Sequence, residues 1–296
     1  DLDFTTNAHP LETKKILQSW AENVWDTGIA FGTVAGKRGD TTVEVTTYRT
    51  ENYDPDSRKP EVEYGDSIHG DLSRRDFTVN SMALELTGEE PEFIDPFNGL
   101  QDLAAKILRT PVRPGDSFND DPLRMMRAAR FASQLDFEIA PEVLSSMKDL
   151  AHRISIISAE RVRDEFTKIM MSSNPRVGIT LLVDTGIADI VLPEIPKLRL
   201  EVDEHHHHKD VYEHSITVLE QAIELENRLD GPNLVIRLAA LLHDIGKPKT
   251  RAFIEGGGVS FHHHEVVGAR LAKKRLQALR FDNETIDAVE LLTMLH

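Results

Sequence analysis

Over about the first 95 residues, short β-branched runs alternate with helical spacing, and beyond them helical spacing prevails. Ile29 to Val34 and Thr41 to Tyr48 read as strands, and Pro10 to Asn23 and Thr78 to Leu86 as helices, which is the pattern of a small α/β domain. Glu51 to Asp66 is rich in Pro, Asp, Lys and Tyr without a period and predicts a long loop. Asp95-Pro96-Phe97-Asn98-Gly99 is a turn signal. After it, Leu123, Met126, Ala129 and Phe131, then Leu144, Met147 and Leu150, then Val162, Phe166 and Ile169 form three amphipathic helical stretches. The pattern breaks from Pro193 to His208 and resumes at Val211, with Gly256-Gly257-Gly258 predicting a hairpin inside Ala252 to Phe261. The expected class is α+β: a small mixed α/β head over residues 1–96, an all-α neck and body over 97–200, and a further α-helical domain over 201–296.

The chain of 296 residues carries a formal net charge of -16, so no global basic field holds nucleic acid, and any RNA contact falls to local patches. Arg124, Arg127 and Arg130, spaced by three, form one such run, and Lys273, Lys274 and Arg275 another. A solvated helix face explains either run equally well. The absence of cysteine excludes disulfides and thiolate metal sites and fits a reducing cytoplasm, where we expect the protein. Any metal must then be held by oxygen and imidazole. No apolar run approaches the roughly 20 residues that cross a bilayer, so no membrane partner is expected.

Three groups of residues in the first half of the chain carry candidate chemistry. Asp1 and Asp3 stand two apart on a predicted strand and so present both carboxylates to one side, with Glu44, flanked by valines on the next strand, as a third. Hard carboxylate oxygens suit magnesium, which keeps waters and shares substrate phosphates. Arg74-Arg75-Asp76-Phe77-Thr78-Val79-Asn80 places two guanidinium forks, able to grip phosphate oxygens in pairs, beside a carboxylate and an amide. Asp120-Asp121-Pro122-Leu123-Arg124 opens a helix, with Asp121 as its cap. An aspartate acceptor beside an arginine donor also matches the edges of cytosine and adenine, whereas guanine and uracil would turn a ring N–H toward the arginine.

In that order, these motifs resemble a bacterial class II tRNA nucleotidyltransferase, the CCA-adding enzymes of the poly(A) polymerase family. The resemblance implies a polymerase beta-like head that uses Asp1, Asp3, Glu44 and magnesium for two-metal-ion transfer from CTP and ATP to the 3′ end of tRNA. It implies nucleotide or primer contacts at Arg75, Asn80, Asp121, Arg124, Arg127, Arg130 and Arg161, with Arg74 and Asp76 bracing the triphosphate site. The family's Glu-Asp-x-x-Arg motif begins here with Asp120. Asp1 already lies inside a motif, the family's glycine-rich segment that would precede it is not matched, and His296 ends the chain abruptly, so the chain reads as part of a longer protein. Poly(A) addition and partial CC or A addition are the near alternatives. The acidic chain, with no basic run after the first strand, favours CCA addition over poly(A).

Leu241-Leu242-His243-Asp244-Ile245-Gly246-Lys247-Pro248 ends an apolar helix with a His-Asp pair. Together with His214, His264 and His296 it resembles an HD-superfamily metal site, which implies a second divalent ion such as manganese, nickel, iron or zinc and a phosphohydrolase activity. An HD phosphohydrolase with an RNA-binding front half is the second reading. His205 to His208 and His262 to His263 are expected to be solvated loop residues.

Overall fold

The structure is a computed structural model that describes residues 2–52, 61–65, 67–199, 210–254 and 259–296. The chain divides into two compact units, Asp1–Asp120 and Asp121–His296.

In the first unit, β1 (Leu2–Thr6), α1 (Pro10–Trp20), β2 (Asn23–Trp25), β3 (Thr33–Arg38) and β4 (Thr41–Thr47) form a sheet of order β1-β4-β3-β2 with α1 packed on it. β1 runs parallel to β4, and β3 is antiparallel to both of its neighbours. Alternation sorts the two faces: Val34 and Val43 are buried on one, while Asp3 and Glu44 are exposed on the other. Gly36 lets α1 approach closely, because a Cβ there would lie 3.1 Å from the Ala21 methyl.

β5 (Arg49–Asn52) and β6 (Glu61–Tyr64) pair as an antiparallel ribbon within the stretch expected to be a loop, and residues 53–60 and 66 of that stretch lie outside the described residues. α2 (Ile68–Ser73) leads to the double arginine. The helix expected over Thr78 to Leu86 is instead a 3₁₀ turn, Thr78–Asn80, followed by β7 (Ala83–Glu85), which pairs with β8 (Glu92–Ile94). Side-chain bonds hold the turn in place of the helix: the Thr78 hydroxyl donates to distant Asp102 at 2.7 Å and the Ser81 hydroxyl to the Phe77 carbonyl at 2.9 Å. The strand expected from Ile29 likewise starts late. Ile29–Phe31 is a 3₁₀ turn closed by Gly32 at φ +81°, and extended backbone begins at Thr33.

Asp95 caps α3 (Gly99–Ala105) by accepting from the Gly99 and Leu100 amides, so the Asp95–Gly99 turn leads straight into a helix that stays with the head, as does α4 (Pro114–Asp120). The first unit therefore runs to residue 120 rather than 96.

The second unit opens with α5 (Leu123–Leu135), α6 (Pro141–Leu150), α7 (Ala159–Met170), α8 (Pro175–Asp184) and α9 (Ala188–Val191), of which α5 packs on α7 and α8. Met126, Ala129, Met147, Phe166 and Ile169 are fully buried, as the three amphipathic stretches require. Next come α10 (Val211–Glu224), α11 (Leu234–Leu242), α12 (Lys247–Thr250), α13 (His264–Ala278) and α14 (Asn283–Leu295). α10, α11 and α14 begin at side-chain caps, Asp210, Asn233 and Asp282, each accepting a backbone amide. The hairpin pairs Ala252–Phe253 with Val259–Ser260, while its glycines and the histidine run 205–208 lie outside the described residues.

Arg237 ties the later helices to the body, donating to the Met170 and Ser172 carbonyls and to both oxygens of Glu226, with Arg237 and Glu226 both buried. The body and the histidine-bearing helices accordingly fall in one unit. None of the described helices is long and apolar enough to cross a membrane.

Candidate functional site

On the open face of the head sheet, Asp3 sits directly beside Glu44 in the parallel register of β1 and β4, about 4.8 Å away by strand spacing. Both are exposed, and this pair of hard oxygen donors suits a divalent ion such as magnesium. Asp1 lies outside the described residues. One step along the same face, Thr5 donates to Asp71 Oδ2 at 3.4 Å, which brings α2 and its arginines over the face that carries Asp3 and Glu44.

Asp71 organises that cluster. Only 1 % exposed, its carboxylate accepts from Arg74 at 3.1 and 2.6 Å and from Arg75 at 3.3 Å. Arg75 also donates to the Asn80 carbonyl, and buried Asp76 accepts from the Phe77 amide and from Asn80 Nδ2. Arg74, Arg75, Asp76 and Asn80 thus form one network, and Arg75 keeps a side-chain exposure of 37 % from which it can reach a ligand. Tyr48 lies close by, its phenol pushed up by burial and then by Asp71 and Glu85. Sequence reasoning passed over Asp71, although an acid three and four residues before two arginines is a legible signal on a helix.

At the start of α5, where Pro122 rather than Asp121 stands at the N-cap, Asp121 Oδ1 accepts the Leu123 amide at 3.1 Å, while its Oδ2 pairs with Arg161 at 2.9 Å. Arg124 and Arg130 are each 8 % exposed, so the Arg124, Arg127 and Arg130 run is not a solvated basic face. Arg130 pairs with Glu165 at 3.2 Å and stacks on Phe131. The second run is tied up as well: Lys273 binds Glu290 and Arg275 binds Glu194.

The histidines converge. Asp244, 1 % exposed, has Oδ2 3.1 Å from His243 Nε2 and 3.7 Å from His214 Nε2. Its Oδ1 lies 3.5 Å from His264 Nε2 and 3.7 Å from His296 Nε2. Lys247 Nζ, to which the sequence reading assigned no role, sits 2.7 Å from Oδ2. Burial works against ionisation of Asp244, but His243 and Lys247 hold its carboxyl well below the usual range. His243, His264 and His296 each place Nδ1 2.7 to 2.8 Å from a main-chain carbonyl, those of Ala240, Phe261 and Thr293. A carbonyl can only accept, so Nδ1 carries the hydrogen and Nε2 is the ring atom that faces Asp244, the atom through which an imidazole so oriented would hold a metal. Neutral imidazoles and one buried carboxylate fit a divalent transition metal.

Gly246 makes the close fit possible. A Cβ there would fall 2.0 Å from the His264 carbonyl oxygen. Gly246→Ala should therefore displace the start of α13, cost about 1–3 kcal/mol and weaken metal retention. A melting curve with and without added manganese checks this, and an unchanged midpoint would contradict the close approach.

Three family models cover most of the chain. Residues 1–109 match the poly(A) polymerase head domain, 136–198 the probable RNA and SrmB-binding site of polymerase A, and 211–296 the HD domain. The chain belongs to the family of tRNA nucleotidyltransferases and poly(A) polymerases, with an HD domain. Among similar curated proteins, the CCA-adding enzyme of Lactobacillus johnsonii is 38 % identical over 200 residues, covering 67 % of this chain and 48 % of its own. That of Streptococcus uberis is 42 % identical over 185 residues, covering 62 % and 44 %. This nucleotidyltransferase-family chain thus spans about half the length of the curated relatives it matches. Among solved structures, the Bacillus stearothermophilus CCA-adding enzyme in complex with CTP aligns over 98 % of this chain and 59 % of its own at 26 % identity, TM-score 0.63. The Thermotoga maritima CCA-adding enzyme complexed with tRNA shares the fold, at 18 % identity and TM-score 0.63 over 100 % and 70 % of the two chains.

Proposed function

We propose that this chain belongs to an enzyme that adds CCA to tRNA 3′ ends from CTP and ATP and releases pyrophosphate. The observation that carries this reading is the pairing of Asp3 with Glu44 on one exposed sheet face, to which Thr5 and Asp71 tether Arg74 and Arg75. Relatives named CCA-adding enzyme, and a similar structure holding CTP, support it.

Asp1, Asp3 and Glu44 would hold magnesium, which when bound activates the 3′-hydroxyl and stabilises the departing pyrophosphate. Arg75 grips triphosphate oxygens while Asp71 fixes its fork, and Asn80, oriented by Asp76, meets the ribose. Asp121 and Arg124 present the acceptor and donor edge that suits cytosine and adenine, with Arg161 bracing Asp121 and Arg127 completing the nucleotide contact. A tRNA substrate would place the protein in the cytoplasm. In the HD domain, His214, His243, Asp244, His264 and His296 hold a divalent metal suited to phosphate-ester hydrolysis.

The test uses tRNA lacking its last three nucleotides, magnesium and each labelled nucleotide alone and combined. Growth by two with CTP and by three with CTP and ATP supports CCA addition. A long ladder with ATP alone would mean poly(A) addition, and no growth would overturn the reading. Arg124→Ala should retain transfer but lose about 1–3 kcal/mol of discrimination against UTP and GTP, read from single-turnover competition. Undiminished selectivity would remove Arg124 from the template.

A further inference from the structure

From Lys247 to Ile254 the chain carries Lys247, Lys249 and Arg251 and no acid, against a net charge of -16 for the whole. The same stretch holds Phe253, at 80 % the most exposed large apolar side chain among the described residues, followed by Ile254 at 52 %. The Arg251 guanidinium lies over the Phe253 ring, 5.2 Å from its centroid, and Lys247 Nζ lies 5.7 Å from the centroid of Phe261. We propose that this face of the hairpin between α12 and α13 binds an unpaired RNA strand, with a base stacked on Phe253 and the adjoining phosphates held by Arg251 and Lys249. The proposal goes beyond the reaction assigned to the head and needs neither nucleotidyl transfer nor a bound metal.

Strand alternation places Arg251 and Phe253 on one side of the hairpin, and the pairing of Phe253 with Val259 sets Val259 beside them. One more step of that register brings Phe261 opposite Arg251. The guanidinium covers part of the Phe253 ring and leaves the rest open, so a base can complete a stack of cation, ring and base. Every base has such a face, so the contact tolerates sequence but requires bases that a duplex has not already stacked. Among the described residues Arg251 and Lys249 have no carboxylate partner, whereas Lys247, Lys273 and Arg275 pair with Asp244, Glu290 and Glu194. An apolar partner would cover the ring but desolvate two uncompensated cations, a cost that a phosphate chain avoids. Next to the hairpin an open cleft of about 590 Å³, lined by Lys247, Phe261 and His262 to Glu265, has room for a further nucleotide of the strand.

The test places a reporter at the proposed contact. Phe253→Trp in the full chain keeps a stacking ring, and the parent, with Trp20 and Trp25 alone, supplies the fluorescence baseline. A short single-stranded oligoribonucleotide should quench the added emission saturably, and duplex RNA of the same sequence should need about tenfold more or higher. Adding Arg251→Ala should raise the half-quenching concentration several-fold and lower the log–log salt slope by about 0.7, the share of one phosphate contact. Circular dichroism confirms that each variant folds. No saturable quench, or equal quench by duplex, would overturn the proposal. Equal quench by polyglutamate would also overturn it and assign the face to an acidic protein partner. Nucleotide addition is assayed on the same Phe253→Trp protein. Addition without quench sinks this proposal alone, and quench without addition sinks the proposed reaction alone.

Discussion

Asp3→Ala is expected to lower the rate of nucleotide addition by about 1,000-fold or more, because on the proposed reading it removes a carboxylate that would hold the catalytic ion, forfeiting roughly 4 kcal/mol or more of transition-state stabilisation. On the proposed reading the effect should appear in kcat far more than in tRNA affinity, since a carboxylate in that role acts on the reacting atoms rather than on the body of the RNA. Asp3 is exposed on β1, an edge strand, so the variant should melt close to the parent. Glu44→Ala should behave alike, because its Cα partner in the parallel register is Asp3. Single-turnover incorporation of labelled CTP is the measurement. A rate within about tenfold of the parent would move the chemistry away from this sheet face.

Glu226→Ala should destabilise the second unit by about 3–5 kcal/mol, because it leaves Arg237 charged, buried and stripped of two hydrogen bonds. Arg237 would keep only the Met170 and Ser172 carbonyls, and the junction between body and HD helices runs through those bonds. Glu226→Gln, which retains an acceptor, should cost less. The bond from Arg237, opposed by burial, holds the Glu226 carboxyl below its ordinary range. Its contribution is therefore complete above the unfolded carboxylate pKa and fades as pH falls through the lowered folded value. Urea unfolding at pH 7 and at pH 3 to 4 checks both points. A shift below about 1 kcal/mol for Glu226→Ala would show that the pair carries little of the fold.

Some of the arrangement could be read from sequence because its signals are local. Asp3 on a strand and a His-Asp pair at the end of an apolar helix depend on spacings of one to four residues, which backbone periodicity converts directly into faces and helix ends. Arg161 meets Asp121 across 40 residues, and the resemblance, rather than any spacing, drew attention to it. Thr78 to Leu86 looked helical because its apolar spacing suits either element. Asp102, which claims the Thr78 hydroxyl, stands 24 residues away. The spacing of Asp71 to Arg74 and Arg75 is a local signal, but the tether that brings the three to the sheet face runs to Thr5, 66 residues earlier, and no local window shows it.

The sequence by itself determined the α+β order, the helical second half and the residue types able to do nucleotidyl-transfer and metal chemistry. These follow from periodicity and donor chemistry, which are properties of neighbouring residues. Only the tertiary structure decided that the first unit extends to residue 120, that Arg130 is buried against Glu165, and that four histidines from separate elements meet one carboxylate. Those outcomes depend on which distant segments pack together. Burial and pairing are set by total packing and by the satisfaction of every buried polar group, which no local window of sequence contains.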